Sequence, residues 1–430
     1  MFRFIKNRNL IRSFFIYNKS ILENFFSLSI IQALNGILPL IAIPYLLKII
    51  HPEKYGLINI SQAVIYYFQI LVDYGFNMTA TRQIAIHRDD LSKISSVFSA
   101  VLLIKLFIIV IGIFVLAVII WLVPDFRDNS MLFYLTYLTV IGYAFLPTWF
   151  FQGIEKMKHL TVLNLIAKIL FTLMIFIFVK KESDYLLVPV FTGLGFIISS
   201  GIGIFIACYS YKISIKRVSL KEIQYQLRDS FPVFISNFSI SFYRSANPIL
   251  LGFFTNAVTV GYYSVAEKLI KGLQAIVNSL AQALFPYMSR KLETYETISG
   301  KLKAILRPTR YISIGLILVS VFVFLTAPYW IRLFIHSQNR EVTTCLRILS
   351  FVVTLGGVNY LLGFTGLINM NQRKSLMFYV VISGVIAIFS ASLLSCYIGL
   401  VGAAYSMLLA EAVLLILILL KYRSLKTQEQ

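Results

Sequence analysis

Apolar runs of about twenty residues, separated by short polar loops, dominate this chain, and that length is what a helix needs to cross a hydrocarbon core of roughly 30 Å. Inside a bilayer every backbone N–H and C=O must be paired within the protein, so only helices and closed barrels can span it. The alternating ten-residue segments of a barrel are absent. Composition agrees: of 430 residues 58% are hydrophobic and only 13% charged, about half the charge a soluble domain carries on its surface. The expected fold is an all-α integral membrane protein of twelve transmembrane helices. The spans fall near residues 22–47, 57–79, 95–122, 131–151, 159–179, 185–211, 231–255, 260–286, 310–334, 342–370, 376–397 and 399–420.

The formal charge of +21 does not point to nucleic acid, because the basic residues sit in alternate loops and form no soluble face. One side collects the N-terminal segment, Arg82, Arg88, Lys93, Lys156 and Lys158, the stretch from Lys212 to Arg228, the stretch from Arg290 to Arg310, Arg373, Lys374 and the C-terminal segment. The other side has few, among them Lys48, Lys54, Arg127, Lys180 and Lys181. That bias predicts a multi-pass protein of a bacterial inner membrane with both termini cytoplasmic. The basic start reads as a retained first helix. Cys208, Cys345 and Cys396 are too scattered for a disulfide or metal set. His51, His87, His159 and His336 make no metal cluster, and no nucleotide-binding loop is present. Every outward loop is short, which argues against an enzyme.

A shift of 205 positions lays Gly56-Leu-Ile-Asn-Ile-Ser-Gln62 over Gly261-Tyr-Tyr-Ser-Val-Ala-Glu267, and Pro44 falls near Pro248. The second span then carries Asn59, Gln62, Tyr66, Gln69, Asp73 and Asn77, and the eighth carries Ser264, Glu267, Lys271, Gln274, Asn278 and Gln282. Steps of three and four place each set on one face of its helix. The chain thus divides into a six-helix half at 1–211, a basic connector at 212–230 and a second half at 231–430. Polar stripes in lipid either glue neighbouring helices or face a watery cavity. Two matched stripes that carry charge favour a cavity between the halves, the plan of many secondary transporters.

Arg244 falls within the seventh span, where an arginine costs about 2.5–3.5 kcal/mol to insert. With Lys271, Lys268 and Arg82 it makes a set of cations suited to an anionic cargo, arginine in particular matching two phosphate oxygens. Snorkelling to headgroups is the competing reading for Arg82, Lys168 and Lys268. Asn35, Gln69, Asn247, Gln274, Asn278 and Gln282 offer uncharged donors and acceptors suited to sugar hydroxyls. Asp73, Glu267 and Glu411 are candidates for a coupling ion, H+ or Na+, with Glu267 equally placed to pair with Lys271. No other cofactor is expected.

Several stretches resemble the Wzx-type polysaccharide flippases of the multidrug/oligosaccharidyl-lipid/polysaccharide exporter superfamily. They are Pro44-Tyr-Leu-Leu through Tyr55-Gly56, Asp73-Tyr-Gly-Phe76, Thr79-Ala-Thr-Arg82, Pro147-Thr-Trp-Phe-Phe-Gln-Gly153, Asn247-Pro-Ile-Leu-Leu-Gly252, Val260-Gly-Tyr-Tyr-Ser through Glu267-Lys268, Phe285-Pro286 and Gly399-Leu-Val-Gly-Ala-Ala404. The resemblance implies two six-helix bundles around a central cationic cavity, with Arg82, Arg244 and Lys271 as cavity cations. It also implies a cargo of undecaprenyl-pyrophosphate-linked oligosaccharide, moved from the cytoplasmic to the periplasmic leaflet by alternating access. Membrane lipids, a polysaccharide polymerase and its chain-length machinery are the implied partners. A cation-coupled drug exporter of the same superfamily is the alternative, though its cavity should favour acids. A glycan polymerase or ligase would need a long outward loop.

Overall fold

The computed structural model describes residues 19–427, with side chains from Leu40 onward except for several between 236 and 290, and is helical throughout without a strand among them. In chain order the helices are α1 (Lys19–Asp73), α2 (Phe76–Ile86), α3 (Leu91–Leu122), α4 (Pro124–Asp128), α5 (Ser130–Phe145), α6 (Thr148–Gly153), α7 (Met157–Phe178), α8 (Leu187–Ser210), α9 (Leu220–Arg244), α10 (Asn247–Phe254), α11 (Ala257–Glu293), α12 (Ile298–Ile335), α13 (Arg340–Tyr360) and α14 (Arg373–Thr427). A π-helical stretch, Leu361–Leu367, follows α13. Short polar side chains start several of them by accepting otherwise orphaned backbone N–H groups: Asp90 for α3, Asn256 for α11, Thr297 for α12 and Asn339 for α13.

Eight helical stretches among the described residues are long and apolar enough to cross a membrane, so this is a multi-pass membrane protein, but the expected twelve is not reached by length and composition. Two kinks account for part of the difference. α1 leaves helical geometry at His51, and α14 at Ile398 and Gly399. A side chain on Gly402 would strike the Leu394 carbonyl, a contact impossible within one straight helix, so α14 folds back on itself. The expected spans at 231–255 and 260–286 are helical, as α9–α10 and α11, yet are not among the eight. Several expected spans are also interrupted: the second at Tyr74–Gly75, the fourth at Leu146–Pro147, and the seventh at Ser245–Ala246.

The loops sort to two ends. At one, Arg88 pairs with Glu155 (3.0 Å), Lys93 with Glu222 (3.2 Å) and Arg82 with Asp229 (2.8 Å); this is the basic end. At the other, the Tyr45 hydroxyl donates to the Val179 carbonyl (2.7 Å), and the Phe126 and Phe253 rings lie 5.8 Å apart. Each half has a core of its own, and a further core with Tyr55, Ile58, Val265 and Phe334 spans both. The N-terminal core joins Phe76, Phe98, Trp149, Phe150 and Phe151; the C-terminal core joins Tyr263, Ala266, Val342, Leu349, Val353 and Ala403.

The basic connector at 212–230 is strapped to the N-terminal half. Ser95 and Ser99, one turn apart on α3, accept the backbone N–H groups of Ser214 (3.1 Å) and Lys216 (2.9 Å). From Leu220 the chain is already helical, and one face of α9 (Glu222, Gln226, Asp229, Ser230) is bonded to Lys93, Gln83, Arg82 and Thr79 of the N-terminal half. A run rich in charge reads as loop, but here those charges and amides are the partners of the half that precedes them.

Candidate functional site

Helices α1 and α11 meet at the two glycines that the repeat pairs. A side chain on Gly56 would overlap the Ala257 carbonyl, and one on Gly261 would overlap the Pro52 carbonyl. Positions 52 and 257, like 56 and 261, are related by the same 205-residue shift, so the two helices cross through a reciprocal pair of glycine-to-carbonyl contacts. Only hydrogen at Cα permits that approach. Beside it, Lys268 Nζ donates to the Tyr55 hydroxyl (3.1 Å) and lies 5.0 Å from its ring. Farther along both helices, toward the basic end, members of the polar stripes are open: Tyr66 is 39% exposed and the Lys271 side chain 47%. The halves are sealed at one end and their polar faces become accessible beyond it.

On α11, Glu267 is buried and accepts an ion pair from Lys271 at 3.0 Å, one turn apart. Gln274 donates to the Val352 carbonyl (3.3 Å), and its amide nitrogen stands 2.6 Å from where a Gly356 side chain would begin, with the Glu411 carboxylate at 3.5 Å. Asn359 donates to that carboxylate (2.7 Å) and to the Glu411 carbonyl (2.8 Å). Asn278 is half-buried on the same helix. The structure therefore brings Glu267, Lys271, Gln274 and Glu411 toward one region of the C-terminal half.

The N-terminal stripe resolves differently. Gln69 donates to Thr139 (3.1 Å), which is helix-to-helix glue. Asp73 accepts from Asn77 (2.5 Å), whose carbonyl oxygen accepts from Thr148 (2.5 Å). Fully buried Lys105 from α3 interacts electrostatically with Asp73. Lys105 is not among the expected site residues; its signal is a lysine in the apolar middle of α3, twelve residues beyond Lys93 at the helix start.

Other expected cavity residues fall elsewhere. Arg82 is not a free cavity cation: it forms an exposed ion pair with Asp229 at the basic end, because the connector helix docks there. Asn247 is buried and donates to the Tyr263 hydroxyl (3.0 Å), a packing role inside the C-terminal half. Arg244 ends α9 at the break before α10 and is not at the centre of a continuous helix. The side chains of Asn35, Arg244 and Gln282 lie outside the described residues. Lys168, expected at headgroup level, lines a cavity with Lys268. No cluster of metal-ligating side chains occurs among the described residues. An exposed ion pair contributes about 0.2–1 kcal/mol, so Arg82→Ala should leave transport above half of wild type and the melting midpoint nearly unmoved. Complementation and thermal unfolding of the purified protein would check this, and a null phenotype would restore Arg82 to the cargo path.

Comparisons with known proteins agree with this geometry. The chain is 28% identical to the "Putative O-antigen transporter" of Escherichia coli (strain K12) over 410 residues, covering 95% of this chain and 98% of that protein. A Shigella dysenteriae protein of the same name is 28% identical over 401 residues, covering 93% and 99%. Among solved structures, the lipid II flippase MurJ in an inward closed conformation superposes with a TM-score of 0.66 at 14% identity, covering 94% of this chain and 87% of that one. An inward-facing multidrug resistance MATE transporter of the MOP superfamily gives 0.62 at 14%, covering 92% and 100%. These two structures establish a shared fold. Residues 21–291, more than half of the chain, match the family described as polysaccharide biosynthesis protein, and the chain belongs to that family.

Proposed function

We propose that the protein is a flippase that moves an undecaprenyl-pyrophosphate-linked oligosaccharide, an O-antigen or related repeat unit, from the cytoplasmic to the periplasmic leaflet of a bacterial inner membrane by alternating access. The observation that carries this reading is the arrangement of α1 and α11: backbone contact at one end, exposed polar faces with Lys271 beyond it. With the basic end cytoplasmic by charge bias, the sealed end is periplasmic and the accessible faces open to the leaflet where lipid-linked sugars are assembled. Lys271 is placed to meet phosphate, and the amides of Gln274 and Asn278 to meet hydroxyls. The names of the curated relatives and the fold shared with a lipid II flippase support the same class of cargo. The chain itself then performs no covalent chemistry; a polymerase and chain-length machinery would act on what it delivers.

Reconstitution tests this. Proteoliposomes carrying an undecaprenyl-pyrophosphate-linked oligosaccharide should show its sugars crossing leaflets many times faster than protein-free vesicles, read by accessibility to a membrane-impermeant glycosidase. Rates equal to protein-free vesicles, together with uptake of a cationic dye by the same vesicles, would overturn the reading in favour of drug export.

A further inference from the structure

A cavity of about 300 Å3 lies at the sealed end, beside the glycine crossing, with Leu57 and Ala257 in its wall. Both halves build it. The N-terminal half supplies Asp125, Phe126 and Asp128 of α4 and Asn129 after it; the C-terminal half supplies Phe253, Thr255 and Asn256 where α10 turns into α11. One wall is aromatic: the Phe126 ring lies 4.5 Å from that of Phe133 and 5.8 Å from that of Phe253, the second contact crossing between the halves. Phe126 and Phe133 are buried, whereas Phe253, Asp125, Asp128 and Asn256 are exposed. The polar groups are mostly acceptors. No lining residue is basic, Arg127 between the two acids donates to the Trp121 carbonyl, and neither Asp125 nor Asp128 takes part in an ion pair among the described residues. Asn129 donates its amide to the Asp125 carbonyl (3.1 Å) and Thr255 its hydroxyl to the Leu251 carbonyl (2.6 Å), which leaves each side chain an oxygen that can accept. Asn256 does the reverse. Its oxygen accepts from the Thr259 N–H (2.9 Å) to start α11, which leaves its amide nitrogen to donate.

Several acceptors, an amide donor and a wall of rings match a ligand that is hydroxylated at its edge and apolar on one face, and a sugar ring is built that way. Its hydroxyls donate to carboxylates and accept from an amide, while its C–H bonds rest on the negative face of an aromatic ring. Other ligands fit less well. Two carboxylates with no cation beside them repel phosphate. A metal ion needs several oxygens converging on one point at about 2.0–2.6 Å, and the rings that form one wall offer none. An organic cation would leave the Asn256 amide without an acceptor. The volume stands at the lower bound of the roughly 300–1,000 Å3 of pockets that enclose a small ligand, so there is room for a sugar ring but not for a repeat unit. We propose that this cavity is a subsite for one uncharged sugar ring of the oligosaccharide once it stands on the periplasmic side, Asp125, Asp128 and Asn256 bonding its hydroxyls and Phe126 and Phe253 meeting its C–H face. The proposal rests on the flippase reading and deepens it. The two ends of the path then differ in sign: Lys271 meets phosphate on the cytoplasmic-facing side, and the acids at the exit admit the sugar while turning the phosphate away. Because both halves line the cavity, a sugar held there favours the sealed conformation.

Saturation-transfer NMR on the purified protein in detergent tests this with the methyl glycosides of glucose, galactose, mannose and N-acetylglucosamine, and with methyl glucuronide as the anionic control. At least one neutral glycoside should receive saturation, strongest at the protons of one ring face, and the glucuronide should receive none. Asp128→Asn removes a charge-assisted hydrogen bond and should weaken that binding by about tenfold. Phe253→Ala should abolish it and Phe253→Tyr should keep it. Both side chains are exposed, so the variants should keep the wild-type thermal midpoint; should Phe253→Ala fail to fold, Asp128→Asn decides. Absence of saturation in every neutral glycoside, or binding that Asp128→Asn leaves unchanged, would overturn the proposal. Stabilisation by magnesium or by ethidium that Asp128→Asn abolishes, in place of sugar binding, would overturn it in favour of a cation. Glycoside binding without sugar translocation in proteoliposomes would count against the flippase reading alone; translocation without glycoside binding would count against this cavity alone.

Discussion

Replacing Gly56 with valine is expected to abolish transport, and Gly261→Val to do the same. Each glycine faces the carbonyl of the residue four positions before the other, Ala257 or Pro52, with no room for even one carbon. A side chain must push the two helices apart, since a carbon needs about 3.3–3.6 Å from a carbonyl oxygen. The core around Phe76, Phe98 and Trp149 lies apart from the crossing, but Tyr55 and Ile58 share a core with Val265 there, so the yield of each variant is measured beside its transport. Their effect falls on one conformation, the one sealed at this end. A cysteine at Ile60, in a background where Cys208, Cys345 and Cys396 are replaced, should react several-fold faster with an impermeant maleimide applied from the periplasmic side when Gly56 is valine. Surface polysaccharide should fall by at least about tenfold, equivalent to 1.4 kcal/mol on the rate-limiting barrier. Alanine at either glycine should give the same phenotype in milder form, and the two should match each other by the internal symmetry. Normal polysaccharide with unchanged labelling would show that this crossing never has to close.

Lys271 gives the second large effect, and its two roles separate in a double mutant. Glu267 is 5% exposed and Lys271 its ion-pair partner. Lys271→Ala therefore strands a buried carboxylate. Removing one partner of a fully buried pair costs roughly 3–5 kcal/mol; water reaches Lys271, so screening reduces the expected loss to about 1–2 kcal/mol. Adding Glu267→Gln removes the stranded charge and should restore most of that stability, read as the thermal midpoint in detergent. Transport should stay at least about tenfold down in the double mutant if the ammonium meets cargo phosphate. A double mutant that regains both stability and polysaccharide would reduce Lys271 to a counter-ion for Glu267.

How much of this was legible beforehand differs between fold and site. Helical spans depend on runs of apolar residues, and runs are visible one at a time, so α3, α7 and α8 lie close to where hydropathy put them. The repeat was legible because Gly56 and Gly261 start matching segments, and the structure gives that match a physical meaning as a contact. The partners of polar residues were not legible, since they lie far away in sequence. Arg82 reads as a cavity cation until Asp229 is seen beside it, 147 positions later. Asn247 reads as a sugar ligand until Tyr263 takes its amide. Lys168 reads as snorkelling because a helix drawn alone offers it only headgroups, whereas it lines a cavity that Lys268 of α11 also lines. Lys105 passed unnoticed because one charge barely changes the average of a long apolar window.

The strapped connector has a mechanical consequence. With Glu222 to Phe234 fastened to the N-terminal half and α10 packed on the C-terminal half through Asn247 and Tyr263, the swing between the halves in the proposed alternating-access cycle would be absorbed along this stretch of chain between residues 235 and 246. That stretch contains the non-helical joint at Ser245–Ala246. The link between the halves is thus a short crank with one end bolted down, and stiffening its free joint should slow the machine without touching anything it carries.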